Sequence, residues 1–242
     1  HTGHYIFASS TVVYDKSDIL PITEDFPVNT TAQQSDYGRN KLICEAFLTN
    51  LYREQNFPMT VARFSMVFGP DNNLINREQR MFIRLLNNRK ILIPGRGNTL
   101  GQIGHVDDEA RALRMMARNS NTYGEIYNVT GKDYFSDDGY VNTCAKVLGV
   151  SPDKIFIPSD IMDRMATDVR QTLIQRLAPY IHPWDHSTIF SIDKLCKHLQ
   201  YEPEYNLESA MAQTFEWFQL NNMHNTRQYD FSNEDELINT LS

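Results

Sequence analysis

Apolar and polar positions along this chain switch between two periods. Tyr5-Ile-Phe-Ala8 is a short apolar run ending in Ser9-Ser10-Thr11, which predicts a buried strand delivering small hydroxyl side chains at its C-terminal end. A polar loop with Pro21 and Pro27 follows. From Ser35 to Gln55 the period becomes helical: Ile43, Phe47 and Leu51 recur at i, i+4, i+8, and Leu42, Ala46 and Leu48 widen the stripe. Pro58 stops that helix, Met59–Phe64 is the second expected strand, and Gly69-Pro70 closes the unit. Beyond it the pattern predicts a helix over Arg77–Asn88, an extended piece over Lys90–Pro94, and a helix entered at His105-Val-Asp-Asp108. A strand over Glu125–Thr130 and a helix over Asp137–Leu148, ended by Gly149, come next. Helices over Ile161–Leu177 and Glu208–Leu220, with a Pro-punctuated loop at Pro179–Asp185 between them, complete the expected elements. Asn221–Ser242 reads as a polar, acidic tail, solvated or lightly docked.

Strands alternating with helices at this spacing mean βαβ crossovers and a parallel sheet, so the fold class is α/β. Only three core strands are expected, and the first is reached within four residues of the start. The reading is therefore a partial doubly wound, Rossmann-like sheet that begins in mid-domain, without its N-terminal strands. Its expected organisation is a catalytic domain over 1–150 with a substrate-lobe insertion near 70–105, a small C-terminal α+β substrate lobe over 151–220, and the tail over 221–242.

Composition narrows the class. The 242 residues are 41% hydrophobic and 22% charged, as in ordinary globular proteins, and no stretch approaches the roughly 20 apolar residues of a membrane helix. A net charge of −7 argues against a broad phosphate-binding surface. Cys44, Cys144 and Cys196 lie too far apart in sequence for a metal knuckle, which favours a reducing, cytoplasmic setting.

Chemistry concentrates in Ser10 and Tyr37-Gly-Arg-Asn-Lys41. On a helix, positions 37 and 41 share a face one turn apart. An ammonium beside a phenol favours the phenolate, and a phenol so tuned is a general acid or base. Such a set suits removal of a proton from a secondary alcohol while its carbon gives up hydride to a nicotinamide. A Tyr-x-x-x-Lys spacing occurs by chance in many helices. The surrounding order of strand, Ser-Ser-Thr, loop, helix and strand ending in Gly-Pro gives this one its weight.

Other clusters have plainer readings. His1 and His4 lack further placed ligands, so no metal site is expected. Gly95-Arg-Gly97 opens no helix and reads as a turn. Asp107-Asp108 reads as helix capping rather than a catalytic pair, and Met115-Met116 as core. His182-Pro-Trp-Asp-His186 is a packing loop or a substrate contact.

Ala8-Ser-Ser-Thr-Val-Val-Tyr14, Tyr37-x-x-x-Lys41, Arg63-Phe-Ser-Met-Val-Phe-Gly-Pro70 and His105-Val-Asp-Asp108 together resemble the extended short-chain dehydrogenase/reductases, the NAD-dependent epimerase/dehydratase group, over about residues 4–220. Ile93-Pro-Gly-Arg-Gly-Asn98 and Tyr229–Leu237 are most similar to the bacterial relatives of chloroplast stem-loop-binding proteins within it. The resemblance implies NAD or NADP as cofactor. It implies Tyr37 as acid/base, Lys41 on the nicotinamide ribose, Ser10 on the substrate oxygen, and Phe64 and Ser65 bordering the nicotinamide. Thr11, Arg96 and His182 would lie on the substrate side, and a homodimer would form through helix 35–55.

Three departures from the family pattern count. The Gly-rich phosphate loop is absent; in the family it lies in the roughly 100 residues that precede this point, a segment expected to have been removed or to sit on another chain. Met66 stands where nucleotide-sugar enzymes often carry Asn, and a thioether cannot donate to a diphosphate. Thr11-Val12 replaces the Asp-Glu pair of sugar 4,6-dehydratases, which disfavours dehydration. The expected function is a nicotinamide-dependent epimerase, dehydrogenase or reductase acting on a hydroxyl-bearing small molecule, with a (nucleotide) sugar as the leading candidate. An RNA-binding protein, resting on Arg77, Arg80, Arg84, Arg89 and Lys90, and a non-catalytic scaffold rank below it.

Overall fold

The structure is a computed structural model and describes residues 3–165 and 184–241. Along the chain it runs β1 (Tyr5–Ser10), a 3-10 turn over Thr11–Val13, α1 (Asp36–Gln55), β2 (Met59–Phe64), β3 (Met66–Phe68), α2 (Glu78–Leu86), β4 (Ile91–Pro94), β5 (Leu100–Gly101), β6 (Ile103–His105) and α3 (Val106–Met116). β7 (Ile126–Val129), β8 (Phe135–Ser136), α4 (Asp137–Leu148), β9 (Lys154–Ile157), α5 (Ser159–Arg164), α6 (Asp193–Leu199), α7 (Leu207–Leu220) and α8 (Ser232–Leu241) follow among the described residues. The expected helix over Ile161–Leu177 meets the described structure only in α5, and its remainder lies outside the described residues, as does most of the loop at Pro179–Asp185.

The chain divides into two compact units. The first comprises His1–Val67, Gln102–Lys132 and Thr188–Glu204; the second comprises Phe68–Gly101, Asp133–Ser187 and Tyr205–Ser242. The chain thus passes between units at 67/68, 101/102, 132/133, 187/188 and 204/205.

In the first unit β2 lies between β1 and β7, all parallel. β2 is the buried centre, with Met59 to Arg63 all out of solvent, which is why its sequence reads as an uninterrupted apolar run but for Thr60 and Arg63. Two apolar layers hold the sheet. Leu48 of α1 packs with Met59 and Val61, while Ala112 and Met116 of α3 pack with Ala62, Tyr127 and Val129. Ser35 caps α1, its Oγ accepting the Gly38 N–H at 3.1 Å.

In the second unit β4 and β9 form a parallel pair, and α4 packs on α2 and α7. Phe82 meets Phe215 and Phe218 edge-on, at centroid distances of 5.2 and 5.4 Å. Gly149, at φ 68°, ends α4 in the left-handed conformation that glycine adopts without strain.

Two expectations about charge are corrected here. The tail is docked, not loosely held: Leu237, Ile238 and Leu241 of α8 pack on Leu92, Ile157 and Met162. The basic run, on which an RNA-binding reading rests, is in its central part not open to a ligand either. Arg80 and Arg84 are each 1% exposed and close on the Glu234 carboxylate at 2.7 and 2.6 Å, and Arg80 and Arg89 stack on the Phe231 ring. Burial alone would raise the Glu234 carboxyl, but hydrogen bonds and charge from Arg84 and Arg80 win and hold it below its ordinary value. Helical periodicity cannot tell a solvated arginine stripe from one neutralised by an acid some 150 positions later in the chain.

Candidate active site

Parallel strands present their C-terminal ends together, and in open α/β sheets this edge is where ligands bind. In the first unit the register makes Ser10 of β1 the neighbour of Phe64 of β2, and Phe64 the neighbour of Val129 of β7. Small hydroxyls follow along that row. Ser65 and Thr130 share a hydrogen bond of 2.5 Å between Oγ and Oγ1, and the Ser65 N–H donates to the Val129 carbonyl. Ser10 is half-buried and caps the 3-10 turn that Thr11 opens, its Oγ accepting the Val12 N–H at 3.3 Å.

Helix α1 lies against this edge. Lys41 crosses to β1, where its Nζ donates to the Ala8 carbonyl at 2.7 Å and sits 5.0 Å from the Phe7 ring centroid. The same ammonium is 5.4 Å from the Tyr37 ring centroid, and Tyr37 is 57% exposed. The two side chains therefore converge, as their spacing predicts, and the phenol is open to solvent.

The start of α1 is tied to the loop after β1 by Gln34. Its carboxamide donates to the Val12 carbonyl at 3.1 Å and accepts the Ser35 N–H at 2.8 Å. Gly38, between Tyr37 and Arg39, permits this, because a Cβ there would collide with the Gln34 carboxamide.

Beneath the edge lies a buried polar network. Glu45 and Arg63 pair in a two-pronged fork, at 3.0 and 2.6 Å, and Ser9 Oγ donates to the same carboxylate at 2.5 Å. The Arg63 guanidinium lies 4.8 Å from the Tyr14 ring centroid, and Tyr14 donates its hydroxyl hydrogen to Asn128 Oδ1 at 2.6 Å. Burial pushes the Tyr14 phenol up to about 12 against the pull of Arg63, so Tyr14 stays a neutral donor.

The expected site residues divide by unit. Ser10, Thr11, Tyr37, Lys41, Phe64 and Ser65 all belong to the first unit. Arg96 is exposed on a turn of the second unit, and His182 lies outside the described residues. His105, not the Asp pair, caps α3, its Nδ1 accepting the Asp107 N–H. Asp108 is buried instead, accepting from Arg111 and from the Glu204 N–H, each at 2.9 Å. Sequence reasoning missed Glu45, Asn128 and Thr130. For Glu45 a signal existed: an acid one turn beyond Lys41 interrupts the face that should meet the sheet.

The sequence pattern of the NAD dependent epimerase/dehydratase family matches residues 1–130, more than half of the chain. The chain belongs to this family. Among curated relatives, it is 29% identical over 216 residues to the chloroplast stem-loop binding protein of 41 kDa b of Arabidopsis thaliana, covering 87% of this chain and 51% of that one. It is 27% identical over 182 residues to a UDP-glucose 4-epimerase of Corynebacterium glutamicum, covering 69% and 53%. Among solved structures it resembles a UDP-glucuronic acid 4-epimerase from Bacillus cereus in complex with UDP-glucuronic acid and NAD, with a TM-score of 0.69 at 21% identity over 90% of this chain and 62% of that one. A Thermotoga maritima UDP-glucose 4-epimerase with UDP-glucose gives 0.70 at 20% identity over 91% and 64%. These likenesses show the α/β fold with its parallel sheet. The chain spans about half the length of the curated relatives it matches. Among the described residues no helix is long and apolar enough to cross a membrane.

Proposed function

We propose that this family member is a nicotinamide-dependent epimerase or dehydrogenase acting on a secondary hydroxyl of a nucleotide-linked sugar. The observation that carries the reading is the convergence of Tyr37 and Lys41 on β1, two residues from Ser10, at the C-terminal edge of the parallel sheet. Tyr37 accepts the proton leaving the substrate hydroxyl, and Ser10 holds the same oxygen in line through its Oγ. With NAD held there to supply the hydride chemistry, Tyr37 would hand the proton back to the same oxygen, and reduction at the other face of the carbon would give the epimer.

The chain's residues fit the nicotinamide end of the cofactor. Lys41 spends one of its three N–H donors on Ala8 and offers the others to ribose hydroxyls, and Ser65 with Phe64 borders the ring. NAD, when bound, supplies the hydride acceptor. NAD is preferred to NADP because the similar structures named above include a complex with it. No Gly-rich loop for its phosphates occurs in this sequence. Thr11, next to Ser10, belongs on the substrate side. The exposed Ile43 and Phe47 support a homodimer through α1, and the three separated cysteines support a cytoplasmic setting.

The test is absorbance at 340 nm when the purified protein and NAD meet UDP-glucose, UDP-glucuronic acid or dTDP-glucose. Either reduced nicotinamide (a dehydrogenase) or the epimeric sugar, separated by chromatography of the same mixture (an epimerase), should form with at least one sugar, and Tyr37→Phe should slow it by about 10²- to 10⁴-fold. Equal rates in the two proteins, or no reaction with any sugar in this class, would overturn the reading.

A further inference from the structure

Glu45 follows Lys41 by one helical turn and Tyr37 by two, on the row of α1 that meets the sheet. It is 5% exposed, and its hydrogen bonds to Ser9 and Arg63 lead to strand ends. Ser9, its 2.5 Å partner, immediately precedes Ser10; Arg63, its forked partner, immediately precedes Phe64. Ser9 and Arg63 are themselves neighbours across β1 and β2. One carboxylate thus joins the helix that carries Tyr37 and Lys41 to the two strand ends that carry Ser10 and Phe64. Arg63 extends the connection through Tyr14 to Asn128, one residue before Val129 on β7.

A buried ion pair is a weak source of stability, because removing two charges from water offsets most of their attraction, and apolar residues of similar volume often serve as well. What the fork does supply is direction. Two parallel N–H···O bonds fix both the distance and the plane of the guanidinium, which no apolar contact does. Ser9 adds a third fixed vector to the same oxygens.

We propose that Glu45 is a positioning residue: through Ser9 and Arg63 it holds Ser10 and Phe64 in register with Tyr37 and Lys41, so that acid/base and hydride geometry coincide. The inference rests on the acid/base reading of Ser10, Tyr37 and Lys41, and it differs from a purely stabilising role in one respect. Apolar replacement restores stability but not geometry.

The experiment compares wild type, Ser9→Ala, and the double variant Glu45→Leu/Arg63→Met. Ser9→Ala removes one bond and leaves the ion pair, so it folds. The double variant removes both charges and should melt near the wild-type temperature. Amide hydrogen exchange should quicken about tenfold in both variants at residues 9–14 and 39–42 while that of α4 in the second unit stays at its wild-type rate. With whichever nucleotide sugar reacts, kcat should fall about tenfold in Ser9→Ala and about a hundredfold in the double variant, with KM within about twofold. Unchanged or uniformly quickened exchange, or a double variant with wild-type kcat, overturns the proposal. If wild type turns over no sugar, the functional reading fails, while the exchange pattern still decides whether Glu45 positions these segments.

Discussion

Glu109 shows what one residue does to the whole unit's response to pH. Its carboxyl is 3% exposed and neither oxygen has a hydrogen-bond partner among the described residues. Burial first, then the charge of Asp108, pushes it well above the ordinary carboxylate range, so the fold keeps it protonated. Once the solution rises above the ordinary range, the unfolded chain releases this proton and the folded chain does not. Stability from this group is therefore complete in acid and is lost as pH rises toward the folded value. Glu109→Gln should raise the melting temperature at about pH 8 and leave it near wild type at about pH 4. Thermal melts at the two pH values check this, and an equal effect at both would refute it. Single residues also set the limit of sequence reading. Tyr37, Lys41 and Ser10 stand out because their spacing has a chemical meaning, and the structure brings Tyr37 and Lys41 together. Glu45 was only half legible: an acid on the sheet-facing row signals a buried partner, but its partners lie 36 positions before it and 18 after it, and no local pattern names a contact at that range.

Helix α1 was legible as an element but not in the way its faces are used. Its boundaries follow from the Ser35 cap and the residues before Pro58, whereas its apolar stripe misleads. Ile43 and Phe47, the repeat that marks the helix, are 61% and 62% exposed, while the sheet side carries Gly38, Glu45 and Leu48. The face that meets the sheet holds the polar network, so the longest apolar repeat lies on the other side. Ile43 and Phe47, at i and i+4, form one patch suited to a two-fold contact between copies. Phe47→Glu should weaken self-association about tenfold or more, since each such contact places the new charge at the shared face twice. Sedimentation velocity over a concentration series reads this; an unchanged distribution that is already monomeric for wild type would remove the dimer. Helix α8 shows the opposite failure. Its acidic composition reads as solvated, yet Glu234 is neutralised by Arg80 and Arg84 from α2, a pairing that only the folded second unit reveals.

At the scale of the molecule, alternation of strand and helix was enough to read the parallel sheet. The order β1-β2-β7 matches the three strands expected from apolar runs. The interleaving of two units was less legible, because the chain passes between them five times and a breaker such as Gly69-Pro70, beside the first passage, does not tell a change of unit from a turn within one. What the sheet does for function is bring Ser10, Phe64 and Val129 side by side, with α1 laid against the first of them. The central claim is that this edge receives a nicotinamide beside the Tyr37 phenol. Its most direct test labels tyrosine with 13C at Cζ, assigns Tyr37 by its disappearance in Tyr37→Phe, and follows the spectrum as NAD is added. The account predicts a saturable movement of the Tyr37 resonance that Lys41→Met weakens, while buried Tyr140 of the second unit stays in place. A Tyr37 resonance that stays still while NAD saturates the protein would contradict it.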